Sequence, residues 1–371
     1  MMWGIGSRRQ RSSSSSVLAQ DAPDVAPPGR IWLGGATGFL GKHLVRELCR
    51  RDQKRRENLS LCSRRGGEVA GQSVSAVDIL DSAAVEKSAK GCKTAYLCAG
   101  VVSRDASDAE RLHQVHVAGT KIALAALKRA GVRRVVVAST SGTIAVGKDP
   151  NQIFDETSPP PTELIAAWPY YRSKYYGEQA ALAQAAADFE VVVVNPSMLL
   201  GPGDVHESST GDVRRFLEKA VLATPAGGIS FVDVRDAAQG MVRAMRRGQS
   251  GERYLLSGAN MTLARFFERL SRISGISAPR LRLPRHRGLS SALFSAYDQA
   301  VRSMGGTPPL DAVSVEMAGY YWYCSCERAE RELGFSPRDP GETLRDTVDD
   351  LIERQVVAPI ELRARQRRDA H

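Results

Sequence analysis

From Arg30 to about Pro196, short runs of β-branched and apolar residues alternate with longer stretches in which apolar positions recur every three or four residues. The strand-like runs are IWLGG (31–35), LSLCS (59–63), VSAVD (74–78), AYLCAG (95–100), RRVVVAST (133–140) and EVVVVNP (190–196). Helical periodicity falls near 38–51, 81–90, 108–130 and 170–187. Strands that read as continuous apolar runs are buried on both faces, so the pattern predicts an α/β fold with a doubly wound parallel sheet covered by helices on each side. After Pro196 the rhythm becomes irregular. Gly- and Pro-rich loops separate two more strand candidates, ISFVDV (229–234) and RYLLSG (253–258), from helical stretches that include TLARFFERLSRI (262–273) and TLRDTVDDLIERQ (343–355). This part reads as a smaller lid over the carboxyl edge of the sheet, and no internal repeat is found.

Charge and cysteine content narrow the setting. Of 371 residues, 51 are Lys or Arg and 41 Asp or Glu, an excess concentrated at 42–65, 280–287 and 363–368. Those clusters carry no interleaved aromatic residues and no nucleic-acid motif, so they read as solvated faces and tails, with no nucleic-acid partner expected. No apolar stretch approaches the roughly 20 residues of a membrane span. The six cysteines, Cys49, Cys62, Cys92, Cys98, Cys324 and Cys326, lack C-x-x-C spacing and suit a reducing, cytoplasmic setting. Residues 1–29 begin with an acid-free Arg/Ser stretch and end in a Pro-rich linker. They read as a disordered extension, the alternative being a transit segment for an organelle.

The first strand runs into GGATGFLGKHLVREL, which places Gly35, Gly38 and Gly41 at the strand-to-helix turn. Glycine is required where the backbone turns tightly and approaches a pyrophosphate held by helix N-terminal N–H groups. The position predicts dinucleotide binding. At the end of the second strand stands LCSRRGG, with no carboxylate before Glu68 to accept from a ribose 2′-OH. Arg64 and Arg65 there favour NADP over NAD, which stays the alternative. The division expected is therefore a dinucleotide-binding unit at 30–196, a substrate-binding lid at 197–353 partly interleaved with the sheet, and a basic tail at 354–371.

A second cluster lies in AWPYYRSKYYGEQ (167–179), where four tyrosines surround Lys174. Only Tyr170 and Tyr171 stand three or four residues before that lysine, so either could lie beside it on a helix.

Taken together these features resemble the extended short-chain dehydrogenases/reductases, over roughly residues 30–353. GATGFLG, VDILD, LCAG, STSGT, DET (155–157), YYRSK and VNPSMLLGPGD are similar to that family's segments in the same order. YYRSKYYGEQ, VNPSMLLGPGD and CERAERELGF look most like the branch of dihydroflavonol-reductase-like proteins, hopanoid-associated sugar epimerases and farnesol dehydrogenases. The resemblance implies a Rossmann sheet and selects Tyr170 over Tyr171, because the family's spacing is Y-x-x-x-K. It implies Ser141, Tyr170 and Lys174 as catalytic residues, with Ser139 the alternative serine. It further implies coenzyme contacts from Gly35, Thr37, Gly38, Phe39, Leu40, Gly41, Arg64, Arg65, Asp78, Ile79, Cys98, Ala99, Gly100, Tyr170, Lys174 and Pro196, and by analogy a homodimer. In that chemistry Tyr170 exchanges a proton with the substrate oxygen while hydride moves to or from nicotinamide, and the Lys174 ammonium favours the phenolate. His116 in VHVAGT occupies a position where many members have asparagine.

The remaining polar candidates read as structural. His43, His113 and His116 lack metal-ligand spacing and no metal is expected; Cys324 and Cys326 read as alternating packing, Asp233 and Asp236 as packing aspartates, and Tyr171, Tyr175 and Tyr176 as packing or substrate-wall residues. Three functional classes follow: an NADP-dependent oxidoreductase acting on a carbonyl or secondary alcohol of an apolar small molecule, a nucleotide-sugar epimerase or dehydratase that retains its coenzyme, and a non-catalytic dinucleotide sensor. The sugar-nucleotide members usually carry Arg-Asp where this chain has Ile229 and Ser230, so the pocket is expected to prefer an uncharged substrate. Arg214 and Arg215 are the residues that could substitute for the missing cation. Phe216, Leu217, Leu293, Phe294 and Tyr297 are candidates for an apolar wall.

Overall fold

The structure is a computed structural model and describes residues 29–50, 57–284, 299, 303 and 312–357. The expectations for residues 1–28, for Leu293, Phe294 and Tyr297, and for the tail beyond 357 lie outside the described residues. The strands are β1 (Arg30–Gly34), β2 (Leu59–Ser63), β3 (Gly67–Val69), β4 (Gln72–Ala76), β5 (Cys92–Leu97), β6 (Arg134–Ala138), β7 (Glu190–Pro196), β8 (Met198–Leu200), β9 (Ala223–Thr224), β10 (Gly228–Asp233), β11 (Arg253–Leu256), β12 (Ala259–Thr262) and β13 (Leu281–Arg282). The helices used below are α1 (Phe39–Cys49), α2 (Ser82–Ser88), α3 (Ala109–His113), α4 (Gly119–Arg129), α5 (Thr162–Ile165), α6 (Pro169–Leu182), α7 (Gly211–Leu217), α8 (Val234–Arg247) and α9 (Leu263–Ser274).

Eight strands form one sheet in the order β11-β7-β6-β5-β1-β2-β4-β3. All neighbours pair in parallel except β3, which turns back antiparallel on β4. The apolar runs explain the two-sided burial. Val135 and Val137 face α2, α4 and α6 together with Leu97, Val191, Val193, Leu124 and Leu127. Val136, between them, faces α1 and α8 with Leu33, Val192, Val194, Leu44 and Met241. Chain order reverses between β1 and β5, and in open α/β sheets such a switch opens a crevice at the carboxyl ends of the two strands.

After Pro196 the chain builds a second layer and also returns to the first. RYLLSG supplies β11 beside β7, and α8 packs against α1. ISFVDV supplies β10 to a separate three-stranded sheet, β12-β10-β8, while β9 and β13 form a two-stranded ladder. The core of this layer gathers Phe231, Phe266, Phe267, Leu270 and Leu344. Asp233 caps α8 by accepting from the Arg235 N–H at 2.8 Å, and Arg235 also bonds Asp346 at 2.6 Å. Asp236 accepts three bonds from Arg338, at 2.8, 3.0 and 2.8 Å. Both aspartates thus fasten the C-terminal segment to the sheet layer.

Three details depart from the sequence reading. VSAVD is the second arm of a hairpin, turned at Ala70 and Gly71, both at positive φ, rather than a lone parallel strand. The helix expected over 108–130 is interrupted by a π-helical turn at Gln114–Ala118. Phe216 and Leu217 are core residues, 2% and 4% exposed, with the Phe216 ring stacked on Phe267 at 5.5 Å; they do not line the cavity.

Candidate active site

A cavity of about 1290 Å³ opens at the carboxyl ends of β1 and β5. Single small-molecule sites run to roughly 300–1,000 Å³, so there is room here for two ligands side by side. Every residue singled out above for coenzyme or catalysis lines it: Gly35, Thr37, Gly38, Phe39, Leu40, Gly41, Arg64, Arg65, Asp78, Ile79, Cys98, Ala99, Gly100, Ser141, Tyr170, Lys174 and Pro196.

The floor is the glycine turn. Gly35 sits at φ +84°, and a Cβ there would lie 2.6 Å from the Ala99 nitrogen, so β1 and the end of β5 approach closely only without a side chain. At Gly41 a Cβ would lie 2.1 Å from the Gly35 carbonyl oxygen, which brings α1 down onto the turn. The N-cap of α1 is Gly38, no side chain bonds its first N–H groups, and its first turn holds no carboxylate. That is an anion-receiving end, and the residues fit a dinucleotide pyrophosphate. Arg64 and Arg65 are exposed at the end of β2, with no carboxylate partner among the described residues. Asp78 accepts the Leu80 N–H at 3.0 Å, shaping the neighbouring turn.

Tyr170, Lys174 and Glu178 form one stripe of α6, four residues apart, which starts at Pro169 in the first-turn position proline favours. Lys174 donates to the Ala138 carbonyl at 2.8 Å, and burial lowers its pKa to about 8, opposed by the Glu178 charge. Burial first and the neighbouring Tyr171 second raise the Tyr170 phenol well above its ordinary value. Burial thus favours the protonated phenol at Tyr170. Glu178, with no exposed side-chain surface, accepts from Ser139 at 2.6 Å, Thr143 at 2.9 Å, Asn195 at 2.7 Å and Arg253 at 3.2 Å. The Ser139 hydroxyl is thereby engaged. Ser141, in a 3₁₀ turn capped by Thr140, lines the cavity beside the Cys324 thiol.

The adjacent tyrosines divide as packing and wall. Tyr171 lies against Trp322 at 4.8 Å and edge-on to Trp168 at 6.1 Å, closing one side of the cavity. Tyr175 and Tyr176 contact each other outside it. Cys324 is buried against Ser230, and Cys326 faces Glu330. His43 donates from Nε2 to the Pro202 carbonyl at 2.8 Å, and His113 is exposed. Among the described residues no cluster suits a metal ion.

His116 shows a role that composition did not reveal. The Val101 N–H donates to its Nε2 at 3.1 Å, which leaves the proton on Nδ1 for the Ser173 hydroxyl at 2.8 Å; Ser173 in turn donates to the Tyr170 carbonyl at 2.8 Å. Burial and then Lys174 lower its pKa to about 3, so it stays neutral. The π turn presents this ring to α6, and Gly177 permits the contact because a Cβ there would lie 2.2 Å from the His116 carbonyl oxygen. A second feature missed by sequence is a charged bridge among residues that line the cavity. Arg104 bonds Ser314 at 3.0 Å and Asp212 at 3.4 Å, and Asp212 also pairs with Arg215 at 2.5 Å. Arg214 is turned away from the cavity onto Glu207 and Glu218.

The family model for the NAD dependent epimerase/dehydratase family matches residues 31–257. A Synechocystis sp. protein provisionally named dihydroflavonol 4-reductase is 31% identical over 324 residues, covering 86% of this chain and 93% of its own. Sterol demethylase protein B of Methylococcus capsulatus is 31% identical over 334 residues, 87% of this chain and 98% of its own. The crystal structure of gox2253 superposes with a TM-score of 0.75 at 25% identity, over 89% of this chain and 100% of that one. A glycine turn at the switch point and matches of this extent define the class: the chain belongs to the NAD dependent epimerase/dehydratase family of extended short-chain dehydrogenases/reductases. It is an NAD(P)-dependent oxidoreductase.

The crowding at Gly41 gives a direct check. Gly41→Ala forces α1 away from the turn, with an expected loss of about 1–3 kcal/mol of stability and of dinucleotide affinity together, read by thermal melting and by coenzyme titration.

Proposed function

We propose that the cavity holds NADP in preference to NAD and that the chain interconverts a carbonyl and a secondary alcohol on an apolar small molecule, with Tyr170, Ser141 and Lys174 as its catalytic residues. The observation that carries this reading is one cavity lined by the glycine turn, by Tyr170 and Lys174, and by apolar side chains that include Met198, Leu199, Val221, Ile229, Phe266 and Trp322.

The glycine turn and the N-terminus of α1 would hold the pyrophosphate, Asp78 and Ile79 the adenine edge, and Arg64 and Arg65 the 2′-phosphate. Cys98, Ala99, Gly100, Lys174 and Pro196 would border the nicotinamide riboside. Bound there, the coenzyme supplies or accepts hydride. Tyr170 gives its proton to the substrate oxygen in reduction, the direction a protonated phenol suits, and takes it back in oxidation. Ser141 hydrogen-bonds the same oxygen and fixes its distance from the phenol. The Lys174 ammonium, held between Ala138 and the Glu178 charge, stabilises negative charge on the phenol oxygen when the proton has left.

The apolar lining favours this reading over a nucleotide-sugar epimerase. Ile229 lines the cavity without charge, the Ser230 hydroxyl bonds Ser257 at 2.7 Å and Arg214 is engaged elsewhere; Arg215 and Arg104 do line the cavity, but both are paired with Asp212. Burying a diphosphate without partners costs several kcal/mol. The relatives named for dihydroflavonol and sterol chemistry support an apolar substrate.

Incubated with NADPH and a panel of dihydroquercetin, a 3-oxosteroid, farnesal and UDP-glucose, the protein is expected to consume coenzyme with an apolar carbonyl. Tyr170→Phe should lower that turnover about 10²–10⁴-fold with coenzyme affinity unchanged, while Tyr171→Phe loses far less; equal losses, or epimerised UDP-glucose without net coenzyme change, would reverse the assignment. In calorimetry NADPH is expected to bind about 10- to 100-fold more tightly than NADH, and Arg64→Ala/Arg65→Ala to erase the difference. Below about pH 8 Lys174 carries its proton, and above it the charge is lost. Turnover should therefore fall as pH rises through about 8, and Lys174→Arg, which cannot titrate in that range, should remove the fall from the kcat profile.

A further inference from the structure

We propose that the mouth of the cavity docks on an anionic lipid bilayer, from which an apolar substrate enters without crossing water. The substrate half of this statement rests on the function proposed above; the docking half stands on the surface itself.

The exposed apolar side chains are not scattered. Of the large ones left exposed among the described residues, Leu80, Val102, Val205, Leu222 and Leu281 also line the cavity, and only Ile153 and Tyr176 do not. Single exposed apolar residues are ordinary, whereas a set gathered around one opening marks a contact surface. Leu281 is 68% exposed and Leu222 56%. Leu222 immediately precedes β9 and Leu281 stands on β13, the two strands pairing Leu281 with Ala223 and Arg282 with Thr224.

Beyond that ladder lies a groove lined by Arg265, Arg269, Arg272 and Arg282. The first three stand at i, i+4 and i+7 of α9 and share one face of it. Glu268 is the one carboxylate lining the groove among the described residues. Its 3.6 Å pair with Arg282 is 49% and 71% exposed, too open to neutralise the patch. Leu281 and Arg282 are consecutive on β13, one lining the cavity and the other the groove. The strand thus carries both an apolar and a cationic side chain, the two chemistries of an anionic membrane surface, whose headgroups meet guanidinium groups and whose acyl boundary meets leucines. A nucleic acid would use the charge alone, and among the described residues the groove offers it no aromatic ring for stacking. No helix among the described residues is long and apolar enough to cross the membrane, so the contact is peripheral.

The test is co-sedimentation of the full chain with sucrose-loaded vesicles of phosphatidylcholine alone or of phosphatidylcholine with phosphatidylglycerol at 7:3 by weight, roughly the anionic content that attracts polybasic surfaces. The protein is expected to pellet with the anionic vesicles and stay in solution with the neutral ones. Each arginine reversed should lower vesicle affinity at least about fivefold, so Arg265→Glu/Arg272→Glu should abolish pelleting while NADPH titration and the melting midpoint remain those of the parent. Leu222→Asp/Leu281→Asp, checked for folding by the same melt, should also lose the vesicles. Equal pelleting on both compositions would overturn the proposal. So would retention by the leucine variant, which would leave a generic anion patch. Vesicle binding without turnover of any carbonyl in the panel would sink the proposed reaction and leave the docking intact.

Discussion

A single buried carboxylate, Glu178, fixes the geometry on which the site depends. It receives hydrogen bonds from the end of β6, the 3₁₀ turn after it, the end of β7 and the edge strand β11. A carboxylate in this position must be satisfied, because an unpaired buried charge costs several kcal/mol, so the four elements are held to the rotation of α6 that satisfies it. Lys174 and Tyr170, one and two turns earlier on the same stripe, then have no choice of direction. The side chains that face the cavity are aimed from behind by one that never reaches it.

The opposite wall is set by glycine rather than by charge. Gly35 and Gly41 let β1, β5 and α1 come within contact distance, and His116 ties the loop after β5 to α6 through neutral hydrogen bonds. The halves of the cavity are thus positioned by different physics: backbone proximity where a phosphate would lie, and buried polar bonds near the tyrosine. The chain reinforces both by returning after Pro196, with α8 closing the outer face of α1 and β11 extending the sheet to Arg253, which bonds Glu178.

Most of the sheet was legible in the sequence because two-sided burial leaves uninterrupted apolar runs, and the glycine turn because its spacing serves a steric need. Arg64 and Arg65 could be placed because a strand end is a local quantity; helix spacing narrowed the tyrosine to Tyr170 or Tyr171, and the family resemblance chose Tyr170. What stayed hidden was non-local or of mixed period. The His116 contacts span 15 and 57 residues, and the turn that presents the ring breaks the helical period. The Arg104–Asp212 bridge joins residues 108 apart, with no motif to announce it. Phe216 and Leu217 were read as cavity wall because apolar character alone cannot distinguish a lining from a core. The hydrogen bond from Ser139 to Glu178, which distinguishes it from Ser141, spans 39 residues and had no local signal.

The aromatic wall has an optical consequence. Trp168 and Trp322 lie 5.5 Å apart, both bordering the cavity, and Trp32 of β1 borders it too. Indole emission responds to local polarity and transfers its excitation to a reduced nicotinamide nearby. The protein therefore carries its own fluorophores along the cavity wall, and filling of the pocket is expected to change its intrinsic fluorescence without any added label.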